Sequence, residues 1–256
     1  MVQKLSIKEI KTAMQQITEP DDPFLEQIKA DGRKGVQQLY TSWTKQYSKN
    51  QELHRNFYEM RKNEESLWNK GYKLVGGIDE VGRGPLAGPV IASCVTLSPD
   101  FYLPGLTDSK KLSKQKREEF FQQIKEQALC IGIGTADAEE IDKLNIYEAT
   151  KLAMERAVAD TGSSIDYLLI DAMKLSNGIP QTSIIKGDAT SISIAASSVV
   201  AKVTRDRYME AAGKNYPGYG FENHMGYGTE EHLTAIRELG ITKEHRKSFA
   251  PVREVI

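Results

Sequence analysis

Two adjacent carboxylates, Asp79 and Glu80, close an apolar run in "KLVGGIDE", and similar runs lead to Asp171 in "YLLIDA" and Asp188 in "IIKGDA". A single acid at a strand end is commonly just solvated, and Asp188 also suits a helix N-cap. Four acids brought to one sheet edge are another matter, because like charges repel unless a cation or a proton intervenes. The set offers oxygen donors only, with no histidine or cysteine, which suits hard divalent ions such as Mg2+ or Mn2+ rather than zinc. Hydrolysis at a phosphoryl centre uses such a cluster, one ion activating water and a second stabilising the leaving oxygen. Successive strand residues face opposite ways, so Asp79 and Glu80 converge only where the strand ends, and the glycines at 82 and 84 predict an end there.

The segment that follows, "GRGPLAG", sets Arg83 between Gly82 and Gly84. Its third glycine comes one residue late for a dinucleotide-binding fingerprint, a proline interrupts it, and a strand rather than a helix follows. The bland reading is a hairpin turn. The functional one is a bare backbone that approaches a sugar-phosphate strand closely, with Arg83 supplying charge.

The surrounding pattern supplies a scaffold. "KLVGGIDE" and "GPVIASCVTL" read as an antiparallel hairpin, and "CIGIGTA", "IDYLLIDA" and "TSIIKGD" as further strands. "SKKLSKQKREEFFQQIKEQA", "AEEIDKLNIYEATKLAMERAVADTG" and "SISIAASSVVAKVTRDRYMEAAGK" read as helices. The nearly all-apolar "YLLI" suits a strand covered on both faces. The expected class is α/β, a mixed sheet of five strands flanked by helices, over residues 71–256. Residues 1–70 are polar, strand-poor and helical, with a break near Asp31-Gly32, and are expected to form a helical N-terminal extension.

Net charge is −1 over 256 residues, which disfavours a polyelectrolyte binder but leaves room for a local basic face. Residues 1–70 hold twelve Lys/Arg against ten Asp/Glu, and the remainder 22 against 25. Arg33, Lys34, Lys45 and Lys49, beside Tyr40, Trp43 and Tyr47, could form a duplex-binding module or belong to a helical cap. Lys202, Arg205 and Arg207, and the run Lys243–Lys247, are candidate phosphate contacts. His224, His232 and His245 lack a metal-ligand spacing and are expected to be structural or loosely substrate-facing, with no general base among them. Cys94 and Cys130 lie in apolar segments and are expected to be reduced thiols. No apolar run approaches the length of a membrane span, and the charged N-terminus lacks an apolar signal core, so a cytoplasmic protein is expected.

Taken together, "GGIDEVGRGPLAGPV", "TDSKKLS", "LLIDA", "IKGDA", "IAASSVVAKVTRDR", "YPGYGFENHMGYGT" and "HRKSFAPV" resemble type 2 ribonuclease H, ribonuclease HII, in that family's motif order from about Lys73 to Val252. The resemblance implies a ribonuclease H-like fold with a helical C-terminal substrate-binding segment. It implies hydrolysis of the RNA strand of RNA–DNA hybrids and incision 5′ of single ribonucleotides in duplex DNA, leaving 3′-hydroxyl and 5′-phosphate ends. That activity serves DNA replication and repair. The resemblance places the metal-holding acids on Asp79, Glu80, Asp171 and Asp188, with two Mg2+ or Mn2+ ions during catalysis. Gly82, Arg83 and Gly84 would read 2′-hydroxyls, the group that distinguishes RNA from DNA. Tyr227 would sense the junction with the following deoxyribose, and Lys110 would contact phosphate. Aspartate at 188 and a tyrosine at 227 favour type 2 over the related type 3 enzymes. A monomer is expected, and no motif marks a replication-clamp contact. The alternatives are a type 3 hybrid nuclease, a DNA nuclease of the same fold group, or a catalytically weak hybrid-binding module.

Overall fold

Small residues let the layers of this protein approach closely. In the computed structural model, which describes residues 5–255, a Cβ at Gly132 or Gly134 would lie about 2 Å from the carbonyl oxygens of Ala157 and Ala153. A Cβ at Gly77 would lie 2.1 Å from the Ser193 carbonyl carbon. These glycines set helices on the two faces of a five-stranded sheet: β1 (Val75–Val81), β2 (Val90–Thr96), β3 (Cys130–Ala136), β4 (Tyr167–Asp171) and β5 (Gln181–Ile184). The order is β3-β2-β1-β4-β5. β1–β2 and β2–β3 pair antiparallel, and β1–β4 and β4–β5 pair parallel.

Contacts divide the chain into two units, Met1–Asn56 and Phe57–Ile256. The first holds α1 (Ile7–Met14), α2 (Pro23–Lys29) and the start of α3 (Lys34–Met60). Ser6 and Glu9 form a capping box on α1, and Asp22 caps α2 ahead of a proline at its first turn. Ile10, Met14, Leu25, Ile28 and Val36 are its core, with Tyr40 and Trp43 packed against them. Arg33 binds the buried Asp31 carboxylate at 2.7 Å and donates to the Leu5 carbonyl, so it serves the break between α2 and α3.

The second unit begins with the end of α3 and α4 (Lys62–Trp68), and then carries the sheet. Its further helices are α5 (Lys114–Gln127), α6 (Ala138–Leu144), α7 (Ile146–Asp160), α8 (Ile192–Asn215), α9 (Phe221–His224), α10 (Glu230–Leu239) and α11 (Ala250–Arg253). One face of the sheet packs on α5 and α8 through Val95, Phe120, Ile124, Ala196 and Val199. The other packs on α7 through Ile78, Ala92, Cys94, Ala153 and Ile170. The helix expected over "AEEIDKLNIYEATKLAMERAVADTG" is two helices, because Asn145 turns left-handed (φ 72°) and its side chain accepts from the Tyr147 and Glu148 amides. Cys94 and Cys130 are free thiols, the first buried and the second half-buried. Among the described residues no helix is long and apolar enough to cross a membrane.

Candidate active site

β1 ends at Val81, directly before Gly82 as the glycines predict and one residue past its acids, with Asp79 opposite Ser93 and Glu80 opposite Ala92. The parallel partner β4 pairs with β1 only from Val75 to Ile78, so the two strands part where Asp79 and Asp171 stand. Asp79 meets α8 through its backbone, whose amide donates to Ser197 Oγ at 2.9 Å. Glu80, one residue on, lines a cleft with Ile146 at the start of α7. The two acids thus stand at the fork between β1 and β4, just before β1 ends.

Asp188 lies in a single 3-10 turn, Gly187–Ala189, and the N-cap of α8 is Ser191. The acid is thus neither the end of a strand nor a helix cap. The turn is tied to β4, because the Gly187 amide donates to Asp171 Oδ1 at 2.7 Å.

Electrostatics link all four acids. Burial, then the charge of Glu80, then that of Asp171, hold the Asp79 carboxyl well above its ordinary range. Burial raises Glu80, an effect opposed by Arg83 and reinforced by Asp171. Asp188 is raised by burial, by Asp108 and by Asp171, and is opposed by Lys110 and Lys111. Three of the acids also have local donors: Asp79 Oδ1 accepts from the Glu80 amide, Glu80 meets Arg83 Nη1 at 3.5 Å, and Asp171 accepts from Gly187. Among the described residues no three His, Cys, Asp or Glu side chains are gathered tightly enough to constitute a metal site on their own. The oxygen-only donors and their mutual repulsion nevertheless match the chemistry of a hard divalent cation.

Beside the acids, Glu80, Val81, Gly82, Arg83, Gly84, Lys110, Ile146 and Tyr227 line a cleft of about 450 Å3. Gly84 lies across the cleft from Tyr227: a Cβ there would make ordinary contact with the Tyr227 ring, at 3.7 Å. Tyr227 itself is 46% exposed. Lys110 sits in a 3-10 turn (Ser109–Lys111) capped by Asp108 and tied to α8 by a 2.9 Å bond between Ser109 and Ser198 hydroxyls. The structure thus gathers Glu80, Gly82, Arg83, Gly84, Lys110 and Tyr227 around one cleft, with Asp79, Asp171 and Asp188 at the adjoining strand fork.

Several expected phosphate contacts are internal instead. Arg205 is fully buried and donates to the carbonyls of Pro89, Ala87 and Met225. Arg246 is also fully buried and donates to those of Gly82, Arg83, Pro85 and Gly88. Lys202 pairs with Asp206 and Arg207 with Glu118. The two buried arginines bind the back of the glycine loop, whose carbonyls would otherwise be unpaired inside the protein. His232 and His245 form a buried chain. His232 Nδ1 meets the Tyr227 carbonyl at 2.9 Å, His232 Nε2 meets His245 Nε2 at 3.1 Å, and His245 Nδ1 accepts from the Thr242 amide. Sequence reading passed over Ser197, Ser198 and Glu64, although the first two lie inside the motif "IAASSVVAKVTRDR".

The family model for ribonuclease HII matches residues 76–252, which span this site. The chain belongs to the ribonuclease HII family. A second model, the ribonuclease HII N-terminal domain, matches residues 6–68, so the helical extension is itself a domain found in this family. Ribonuclease HII of Bacillus cereus (strain Q1) is 57% identical over 256 residues, covering 100% of this chain and 99% of the relative. That of Bacillus cereus (strain G9842) is 54% identical over 255 residues with the same coverage. Among solved structures, ribonuclease H2 from Pyrococcus horikoshii superposes with a TM-score of 0.60 at 22% identity, over 71% of this chain and 96% of the other. The ribonuclease HII of the Archaeoglobus fulgidus PCNA complex gives 0.58 at 22% identity, over 69% and 95%. These two show the ribonuclease H-like fold. Family membership makes the protein a hydrolase, an endonuclease acting on RNA–DNA hybrids.

Proposed function

We propose that this site hydrolyses the phosphodiester on the 5′ side of a ribonucleotide, both in long RNA–DNA hybrids and at single ribonucleotides embedded in duplex DNA, leaving 3′-hydroxyl and 5′-phosphate ends. Supporting this reading is one observation above the others: the acid Glu80 and the Gly82-Arg83-Gly84 loop line the same cleft, opposite Tyr227. Hydrolysis and sugar selection then act on one nucleotide.

Asp79, Glu80, Asp171 and Asp188 would hold divalent cations, Mg2+ or Mn2+, which supply water activation and charge neutralisation at the phosphate. The chain's own groups do the selecting. The backbone of the glycine loop reaches the 2′-hydroxyl because no side chain intervenes at 82 or 84. Arg246 and Arg205 hold that backbone from behind, so its groups are set before substrate arrives. The exposed Tyr227 ring packs on the deoxyribose that follows the ribonucleotide. Arg83 and Lys110 place positive charge beside the phosphates. The cellular role that follows is removal of misincorporated ribonucleotides or primers, by a cytoplasmic monomer.

The test is a labelled duplex with one ribonucleotide, beside an all-DNA duplex and a long hybrid, each with Mg2+, Mn2+ or EDTA. Metal-dependent incision 5′ of the lone ribonucleotide, with all-DNA intact, is the expected result. Cutting of the hybrid alone would move the protein to type 3 behaviour, and cutting of all-DNA would overturn the role of the glycine loop.

A further inference from the structure

Glu64, in the first turn of α4, is fully buried. One carboxylate oxygen, Oε1, accepts from Ser191 Oγ, from the Ser193 amide at 3.0 Å and from Ser193 Oγ at 2.6 Å. Ser191 is the N-cap of α8, so a carboxylate from another helix sits on the positive end of a 24-residue helix. The neighbouring Asn63 donates its side-chain amide to the Thr190 carbonyl at 2.9 Å. The two residues hold the junction between α8 and the turn that carries Asp188 from both sides.

From there the connections run to the acids. The amides of Thr190 and Ser191 donate to the Gly187 carbonyl at 3.0 and 2.8 Å, and the Gly187 amide donates to Asp171. Further along α8, Ser197 accepts from the Asp79 amide. The bare Gly77 of β1 also packs directly on the Ser193 backbone. The start of α8 is therefore held by both β1 and Glu64, and its placement bears on Asp79 through Ser197 and on Asp171 and Asp188 through the Gly187 turn.

We propose that Glu64 is a positioning residue for the active-site carboxylates, holding α8 and the Asp188 turn in the arrangement that binds metal. The inference rests on Asp79, Asp171 and Asp188 being the metal-holding acids. A buried glutamate that merely stabilised the fold would alter melting and nothing else.

The experiment compares the full-length protein with Glu64→Gln, which preserves shape and removes charge, and with Asn63→Ala, a change at a half-buried position outside the core. Each is assayed for kcat and KM on the single-ribonucleotide duplex, for Mn2+ binding by electron paramagnetic resonance without substrate, and for thermal melting. Removing the support of a metal ligand commonly lowers metal affinity or activity by about 10–100-fold. The expected result for Glu64→Gln is kcat down about tenfold, KM within about twofold, and the Mn2+ dissociation constant up about tenfold. Asn63→Ala should move the same quantities in the same direction by a few-fold. A folded Glu64→Gln with wild-type kcat and Mn2+ affinity overturns the proposal, whatever its melting temperature. Absence of both cleavage and Mn2+ binding in the unaltered protein is a different failure, removing the acid assignment and the proposal with it.

Discussion

The guanidinium of Arg205 fills the space that a side chain on residue 82 would require: a Cβ at Gly82 would lie 2.3 Å from Arg205 Nε and 2.6 Å from the Pro89 carbonyl oxygen. Gly82 also holds φ at 98°, a region that L side chains rarely enter. Gly82→Ala should therefore cost about 1–3 kcal/mol of stability. It should also lower cleavage of every ribonucleotide-containing substrate by at least about tenfold, since the whole loop must shift. Urea unfolding and initial rates check both, and a folded variant with wild-type rates would refute the close-approach role.

On the proposed reading, Asp79 trades stability for chemistry. Burial, with the charges of Glu80 and Asp171, holds its folded carboxyl well above the ordinary range, so stability falls as the pH rises from that ordinary range toward the raised value, and the full loss persists above it. Asp79→Asn should abolish cleavage while raising metal-free stability by about 1 kcal/mol, seen as a higher melting temperature in EDTA.

On the proposed reading, Tyr227 separates the two substrate classes. Its ring is exposed at the cleft, so Tyr227→Ala should leave long-hybrid cleavage within about threefold. Loss of an aromatic platform is worth about 1–3 kcal/mol, which predicts a fall of about tenfold or more on the single-ribonucleotide duplex. Equal losses on both substrates would remove its junction role.

Acid should loosen the region behind Tyr227. Burial and the neighbouring His232 push His245 down to about 4 from 6.5, and burial lowers His232 as well. Between those values the unfolded chain binds protons that the folded protein excludes, so stability falls as the pH drops from about 6.5 toward about 4. Thermal melts across that window should show a drop of several degrees. A slope that persists unchanged in His245→Gln would assign the acid sensitivity to other groups.

The hairpin at β1–β2, the apolar β4 and the clustering of acids after apolar runs were legible because strand periodicity and charge placement are local properties. What escaped was long-range. Arg205 and Arg246 read as surface charge, yet their acceptors are carbonyls far away in sequence, and nothing near either arginine announces them. The Asp188 segment read as a strand end for a similar reason: Lys186 adopts a left-handed conformation (φ 57°) that ends the strand early, and Ser191 rather than Asp188 caps the helix. The helix break at Asn145 carried a signal in hindsight, since asparagine both tolerates positive φ and caps the next helix.

The bond from Arg246 to the Gly82 carbonyl spans 164 residues. During synthesis the strand bearing Asp79 and Glu80 emerges long before the arginine that supports the adjoining loop. A nascent chain that has not yet reached Arg246 carries the acids of β1 beside a glycine loop whose buried carbonyls lack their arginine donor. On the proposed reading, the acids are then made well before the loop that would read the ribose is held in place.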